Sequence, residues 1–96
     1  MKRTLHPLAE EELFEAMDWY ESRVDGLGAQ FLSRVNEALD LIAMFPRSCP
    51  AILGPVRRKV MNQFPYSIIY SLPPDEIFVL AIAHQKRRPE YWKDRL

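Results

Sequence analysis

An α+β fold is predicted for this chain: a short strand and an antiparallel helical hairpin packed on a small, mainly antiparallel sheet. Three observations predict it. Apolar residues recur at helical spacing through two stretches separated by Asp25-Gly26-Leu27-Gly28. Three runs rich in β-branched and aromatic residues follow, with connections too short for parallel crossovers. The last of these, Ile77-Phe78-Val79-Leu80-Ala81-Ile82-Ala83, is apolar throughout, as a strand covered on both faces would be. The predicted order is β-α-α-β-β-β with a short C-terminal helix, and the 96 residues suit a single domain over 1–96.

Lys2 to Leu5 reads as a short strand, because the residue before Pro7 is biased away from the helical region. Pro7 fits the first helical position, and Glu10, Glu11 and Glu12 set negative charge near the positive end of the helix dipole. Ala9, Leu13, Ala16, Met17, Tyr20 and Val24 then carry a first helix to about Arg23. The two glycines supply a stop and a tight turn. Phe31, Val35, Ala38, Leu39, Ile42 and Phe45 make a second apolar stripe, closed by Pro46. Such a helical pair needs another surface to bury its shared face.

Pro46 to Pro55, with three prolines and a glycine, reads as a loop. Strands are expected over Val56 to Met61, Tyr66 to Leu72 and Ile77 to Ala83. Alternation puts Val56, Arg58 and Val60 on one side and Arg57, Lys59 and Met61 on the other; Tyr66, Ile68 and Tyr70 likewise oppose Ser67, Ile69 and Ser71. The last strand is expected to be central, with the hairpin on one face and a tail segment or a partner on the other. Pro89 to Arg95 reads as a short closing helix.

Composition bounds the function. Hydrophobic residues are 48% and charged residues 27%, a globular balance far from that of a disordered chain. The longest apolar run falls short of the roughly 20 residues a membrane helix needs, and Met1 to Pro7 lacks a signal-peptide core, so a cytoplasmic location without membrane association is expected. A single cysteine, Cys49, rules out an intrachain disulfide or a Cys-Cys zinc site. No metal-ligand spacing, phosphate-binding glycine loop or nucleophile elbow is present, and neither metal nor cofactor is expected. The zero net charge is unevenly spread: residues 1–53 hold five Lys/Arg against nine Asp/Glu, and residues 54–96 hold eight against four. One acidic and one basic face follow, the latter able to meet phosphates or an acidic protein.

Where the apolar strand ends, the chain turns to His84-Gln85-Lys86-Arg87-Arg88-Pro89-Glu90-Tyr91-Trp92. If the meander brings strand ends together, Arg57, Arg58 and Lys59 join Lys86, Arg87 and Arg88 at one rim, with Tyr66 and Trp92 as stacking rings. That is a candidate target-binding surface. Histidine is the side-chain type whose ordinary pKa, about 6.5, suits proton transfer near neutrality, and His84 is the one in this stretch. With Arg87 or Arg88 stabilising charge on a phosphate and Tyr91 as a weaker acid, it is a candidate catalytic group. The plainer alternatives stay open: a solvated rim, a histidine that ends its strand, and Tyr91 and Trp92 as packing groups that pin the tail.

Phe64-Pro65-Tyr66-Ser67-Ile68-Ile69-Tyr70 and Val79-Leu80-Ala81-Ile82-Ala83-His84, followed by Arg87-Arg88-Pro89 and Trp92, resemble the RelE/ParE toxin superfamily of type II toxin-antitoxin modules, nearest its ParE-like, plasmid-stabilisation branch. The resemblance spans nearly the whole chain and is most specific in its last thirty or so residues. It implies a small α/β toxin neutralised by a cognate antitoxin that lies across an exposed groove. It also implies one of two targets, DNA gyrase for ParE-like members or messenger RNA on the ribosome for RelE-like ones. The RNases typically carry an arginine after the tyrosine matching Tyr66, where this chain has Ser67, and many place a tyrosine where it has Trp92. Both departures, with the neutral net charge, favour a gyrase inhibitor without covalent chemistry of its own. A ribosome-dependent endoribonuclease using His84, Arg87, Arg88 and Tyr91 is the alternative, and a non-toxic antitoxin-binding homologue a third.

Overall fold

The computed structural model describes all 96 residues. β1 (Lys2–Leu5) leads into α1 (Pro7–Arg23) and α2 (Leu27–Met44), and β2 (Ala51–Leu53), β3 (Val56–Val60), β4 (Tyr66–Ser71) and β5 (Glu76–His84) complete the sheet. The strand order is β1-β5-β4-β3-β2. β2 to β5 run as an antiparallel meander, and β1 returns parallel to β5. The strand within the Pro46 to Pro55 loop is a correction to the sequence reading: three residues between Pro50 and Gly54 pair with β3 despite the prolines, at an edge where a missing N–H costs little.

Local chemistry explains the helix ends. Pro7 opens α1, and the His6 Nδ1 accepts from the Leu8 N–H at 3.1 Å, filling one of the orphan donors of the first turn. Between the helices, Gly26 takes φ +84°, and Glu21 accepts from the N–H groups of both Gly26 and Gly28. Gly28 also lets the helices approach, since a Cβ there would lie 2.6 Å from the Met17 carbonyl oxygen. No helix is long and apolar enough to cross a membrane.

The helical hairpin covers one face of the sheet. Phe31, Val35, Leu39 and Ile42 of α2 and Leu13 of α1 pack on Ile68, Tyr70, Ile77, Val79 and Ile82. The opposite face carries a smaller core of Val56, Ile69, Leu80, Ala81 and Ala83, closed by Trp92 from the tail. β5 is therefore central and covered on both sides, as its unbroken apolar run implied. A β-bulge explains how one strand serves both cores. Ile69 pairs with Ala81 but Tyr70 with Val79, leaving Leu80 as an extra residue. The bulge reverses the alternation, so Ile77, Val79 and Ile82 face the helices and Leu80, Ala81 and Ala83 face the tail.

The closing helix is present but shorter than the Pro89 to Arg95 expected. Glu90 takes φ +60°, and only Lys93–Arg95 form a single 3-10 turn. A left-handed residue cannot continue a right-handed helix, so the segment after Pro89 folds as turns held by side-chain contacts instead.

Candidate functional site

The end of β5 and the following turn place His84 and Arg87 on a ridge between two clefts. One, of about 440 Å³, lies over the smaller core and is lined by Arg58, Ser67, His84, Arg87, Arg88 and Tyr91, with Ile52, Val60 and Ile69 as apolar surface. The other, of about 560 Å³, lies against α1 and is lined by Glu12, Glu15, Trp19, Tyr20, Tyr66, His84 and Arg87.

The six cations of the sequence reading do not all converge. Arg58, Arg87 and Arg88 share the first cleft, are exposed, and have no carboxylate within ion-pair distance. Arg57 and Lys59 point to the other side of β3. Arg57 donates to the carbonyl oxygens of Arg47 and Cys49, and Lys59 lines a small hollow with Leu41 and Phe45 of the α2 end. The reason is the pleat: three consecutive strand residues cannot share a face. Lys86 is exposed in the turn and lines neither cleft.

His84 is half-buried, and its Nδ1 accepts from the Lys86 N–H at 3.0 Å, so the neutral ring carries its proton on Nε2. The histidine thus ends its strand and fastens its turn, while Nε2 has no protein partner. Its ring meets Tyr66 edge-on, with centroids 5.0 Å apart. Tyr66 in turn joins Tyr20, Phe31 and Phe64 in an aromatic cluster under the second cleft. Burial above all, with smaller contributions from Tyr20, Glu12 and Glu15, raises the Tyr66 phenol above its ordinary 10.0.

Two expected site residues have structural environments. Trp92 is 3% exposed, so its indole ring fills the smaller core and is not a free stacking platform for a target. Tyr91 donates from its hydroxyl to Glu12 Oε2 at 2.9 Å. Burial first, then that hydrogen bond and the Glu12 charge, push its phenol well above 10.0, against smaller opposing effects of Arg95 and Arg87. A hydroxyl so held is poorly disposed to release a proton as a catalytic acid. The Arg87 guanidinium stands over the Tyr91 ring, 3.8 Å from its centroid.

The sequence reads Glu12 as one of three carboxylates that complement the helix dipole. Its side chain is instead 14% exposed and pairs with Arg95 at 2.9 Å. Its Oε1 also accepts from the Ile82 N–H, and Arg95 donates to the Leu80 carbonyl oxygen. These are backbone groups of the bulged stretch of β5, where β1 has already ended. No residue-level signal separates Glu12 from Glu10 and Glu11, because its partners lie 70 and more residues away. Trp19, 54% exposed beside the second cleft with Arg23 over its ring at 4.5 Å, also escaped the sequence reading. A tryptophan off the apolar stripe of α1 was its only signal. No group of three or more His, Cys, Asp or Glu side chains is placed to hold a metal.

The family model described as the ParE toxin of type II toxin-antitoxin system, parDE, matches residues 4–89. Among solved structures, a chain of the chromosomal ParDE toxin-antitoxin system from P. aeruginosa is similar, with a TM-score of 0.62 and 19% identity, over 88% of this chain and 95% of that one. At that identity the likeness concerns the fold. A comparison with curated proteins returns no match.

Proposed function

Because the chain belongs to the ParE toxin family of type II toxin-antitoxin systems, we propose that it arrests growth by inhibiting DNA gyrase and is neutralised by a cognate antitoxin protein in the cytoplasm. The observation that carries this reading is the family match over residues 4–89. The geometry supports it in two ways. Arg58, Arg87 and Arg88 offer three unpaired guanidinium groups around a partly apolar cleft, a surface suited to a protein partner that presents both carboxylates and apolar side chains. Ser67, in the position where ribosome-dependent relatives typically carry an arginine, is buried in β4 and adds no charge to that cleft.

Purified protein added to gyrase and relaxed plasmid is expected to block supercoiling or to trap cleaved DNA. Full supercoiling activity at high molar excess of the protein refutes the gyrase reading. One observation favours a second reading: the Nε2–H of His84 stands on the ridge with Arg87, where an RNA phosphate would meet a hydrogen-bond donor and a cation. A ribosome-dependent endoribonuclease would leave new 5′ ends on translated messages, detectable by primer extension and lost in His84→Ala. Unchanged messages eliminate that alternative.

A further inference from the structure

We infer that Glu12 is a positioning residue for the basic cleft: through Tyr91 and Arg95 it locks the C-terminal tail so that Arg87 is held over the Tyr91 ring. The effect on activity rests on the function proposed above, whereas the lock itself can be measured without any target.

The chain of contacts begins at the bulge. Where β1 ends, the edge of β5 exposes backbone groups in a stretch that is otherwise buried, and an unpaired buried N–H or C=O is costly. Glu12 Oε1 takes the Ile82 N–H at 3.0 Å, and an Arg95 Nη takes the Leu80 carbonyl oxygen at 3.0 Å. The two side chains then meet each other through both carboxylate oxygens. One carboxylate on α1 and one guanidinium at the chain end thereby complete the hydrogen bonding of the strand edge together. Neither can leave without stranding the other in a largely buried place.

Tyr91 attaches the cleft to this pair. Its hydroxyl donates to Glu12 Oε2, and two guanidinium groups stand near its ring, Arg87 at 3.8 Å and Arg95 at 5.1 Å from the centroid. Arg87 has no carboxylate partner and no side-chain hydrogen bond, so the Tyr91 face is what limits its rotamers. The backbone gives little other restraint. After β5 the tail is held by isolated turn bonds, among them Arg87 N–H to the His84 oxygen at 3.0 Å and Lys93 N–H to the Glu90 oxygen at 2.9 Å. Glu12 thus acts on the cleft at one remove: it fixes a phenol, and the phenol orients a cation.

The lock predicts a spectroscopic signature. Stacked over Tyr91, the side-chain protons of Arg87 are expected to show an upfield ring-current shift in the NMR spectrum of the full chain. Glu12→Gln, which keeps the size but loses the charge, is expected to reduce that shift by half or more, and to speed amide exchange at Lys93 and Arg95 about tenfold. Tyr91→Phe removes only the hydroxyl and reads the same shift should Glu12→Gln fail to fold. Both variants are expected to need roughly tenfold more protein for half-inhibition of gyrase. Val35→Ala, in the core-facing stripe of α2, serves as a matched loss of stability away from the lock and is expected to leave both the Arg87 shift and the inhibition unchanged. An Arg87 shift that survives in Glu12→Gln and Tyr91→Phe overturns the inference. Shifts that collapse while the parent protein proves inert toward gyrase leave the lock standing and remove the proposed target.

Discussion

Trp92→Ala measures how far the tail belongs to the folded body. Trp92 is 3% exposed and packs on Val56, Ile69, Leu80, Ala81 and Ala83, the face of the sheet that no helix covers. A buried tryptophan removes about 200 Å² from water, worth about 5 kcal/mol at roughly 25 cal/mol per Å². Alanine keeps part of this, and truncation of a core tryptophan commonly costs about 3–5 kcal/mol. About 4 kcal/mol is expected here, since the pleated sheet beneath Trp92 is too rigid to collapse into the space left. Set against a total stability of about 5–15 kcal/mol, that removes from about a quarter to most of it. With a urea slope of about 1.5 kcal/mol per M, the midpoint followed by circular dichroism falls by about 2–3 M. Trp92→Phe keeps most of the filling and is expected to cost about 1–2 kcal/mol. An unchanged midpoint in Trp92→Ala, together with lost growth arrest, would refute the packing assignment and make the ring a contact group for the target.

Arg87→Ala with Arg88→Ala removes two exposed cations and one stacking contact, so stability is expected to change by no more than about 1 kcal/mol while growth arrest is lost; a collapsed circular dichroism spectrum would show the arginines to be structural. Gly28→Ala forces a methyl group to within 2.6 Å of the Met17 carbonyl oxygen. The helices must part, at a cost of about 1–3 kcal/mol in chemical denaturation. Alkaline titration tests the tyrosines. Tyr70 and Tyr91 ionise well above 10.0 in the folded chain, chiefly through burial. The unfolded chain therefore loses these protons first: the stabilisation is complete below about pH 10 and shrinks as pH rises beyond it. Ultraviolet difference spectra are expected to show a late-titrating fraction that Tyr91→Phe reduces, and normal titration of every tyrosine would contradict the burial.

Much of the architecture was legible because its causes are local. Pro7, the Gly26 turn and the apolar stripes of α1 and α2 state helix ends and buried faces within a few residues. The continuous apolar run of β5 likewise announced a strand covered on both sides. β2 was missed because a three-residue edge strand among prolines leaves no periodic trace. The candidate site was less legible. Alternation along β3 already separated Arg58 from Arg57 and Lys59, yet the rim was expected to gather all three; the pleat allows only Arg58 to join Arg87 and Arg88.

From the residues alone came the order of every strand and long helix but β2, the antiparallel meander, the central place of β5 and the family resemblance, since hydrophobic period, turn chemistry and motif are properties of neighbouring positions. Tertiary structure alone decided which charged side chains leave the surface. The bulge at Leu80 redistributes β5 between two cores, and it is the strand edge beside that bulge which draws Glu12 and Arg95 together across the fold. Hydrogen-bond satisfaction of a buried backbone depends on which groups remain unpaired once the sheet is assembled, and no local pattern in the chain encodes that remainder.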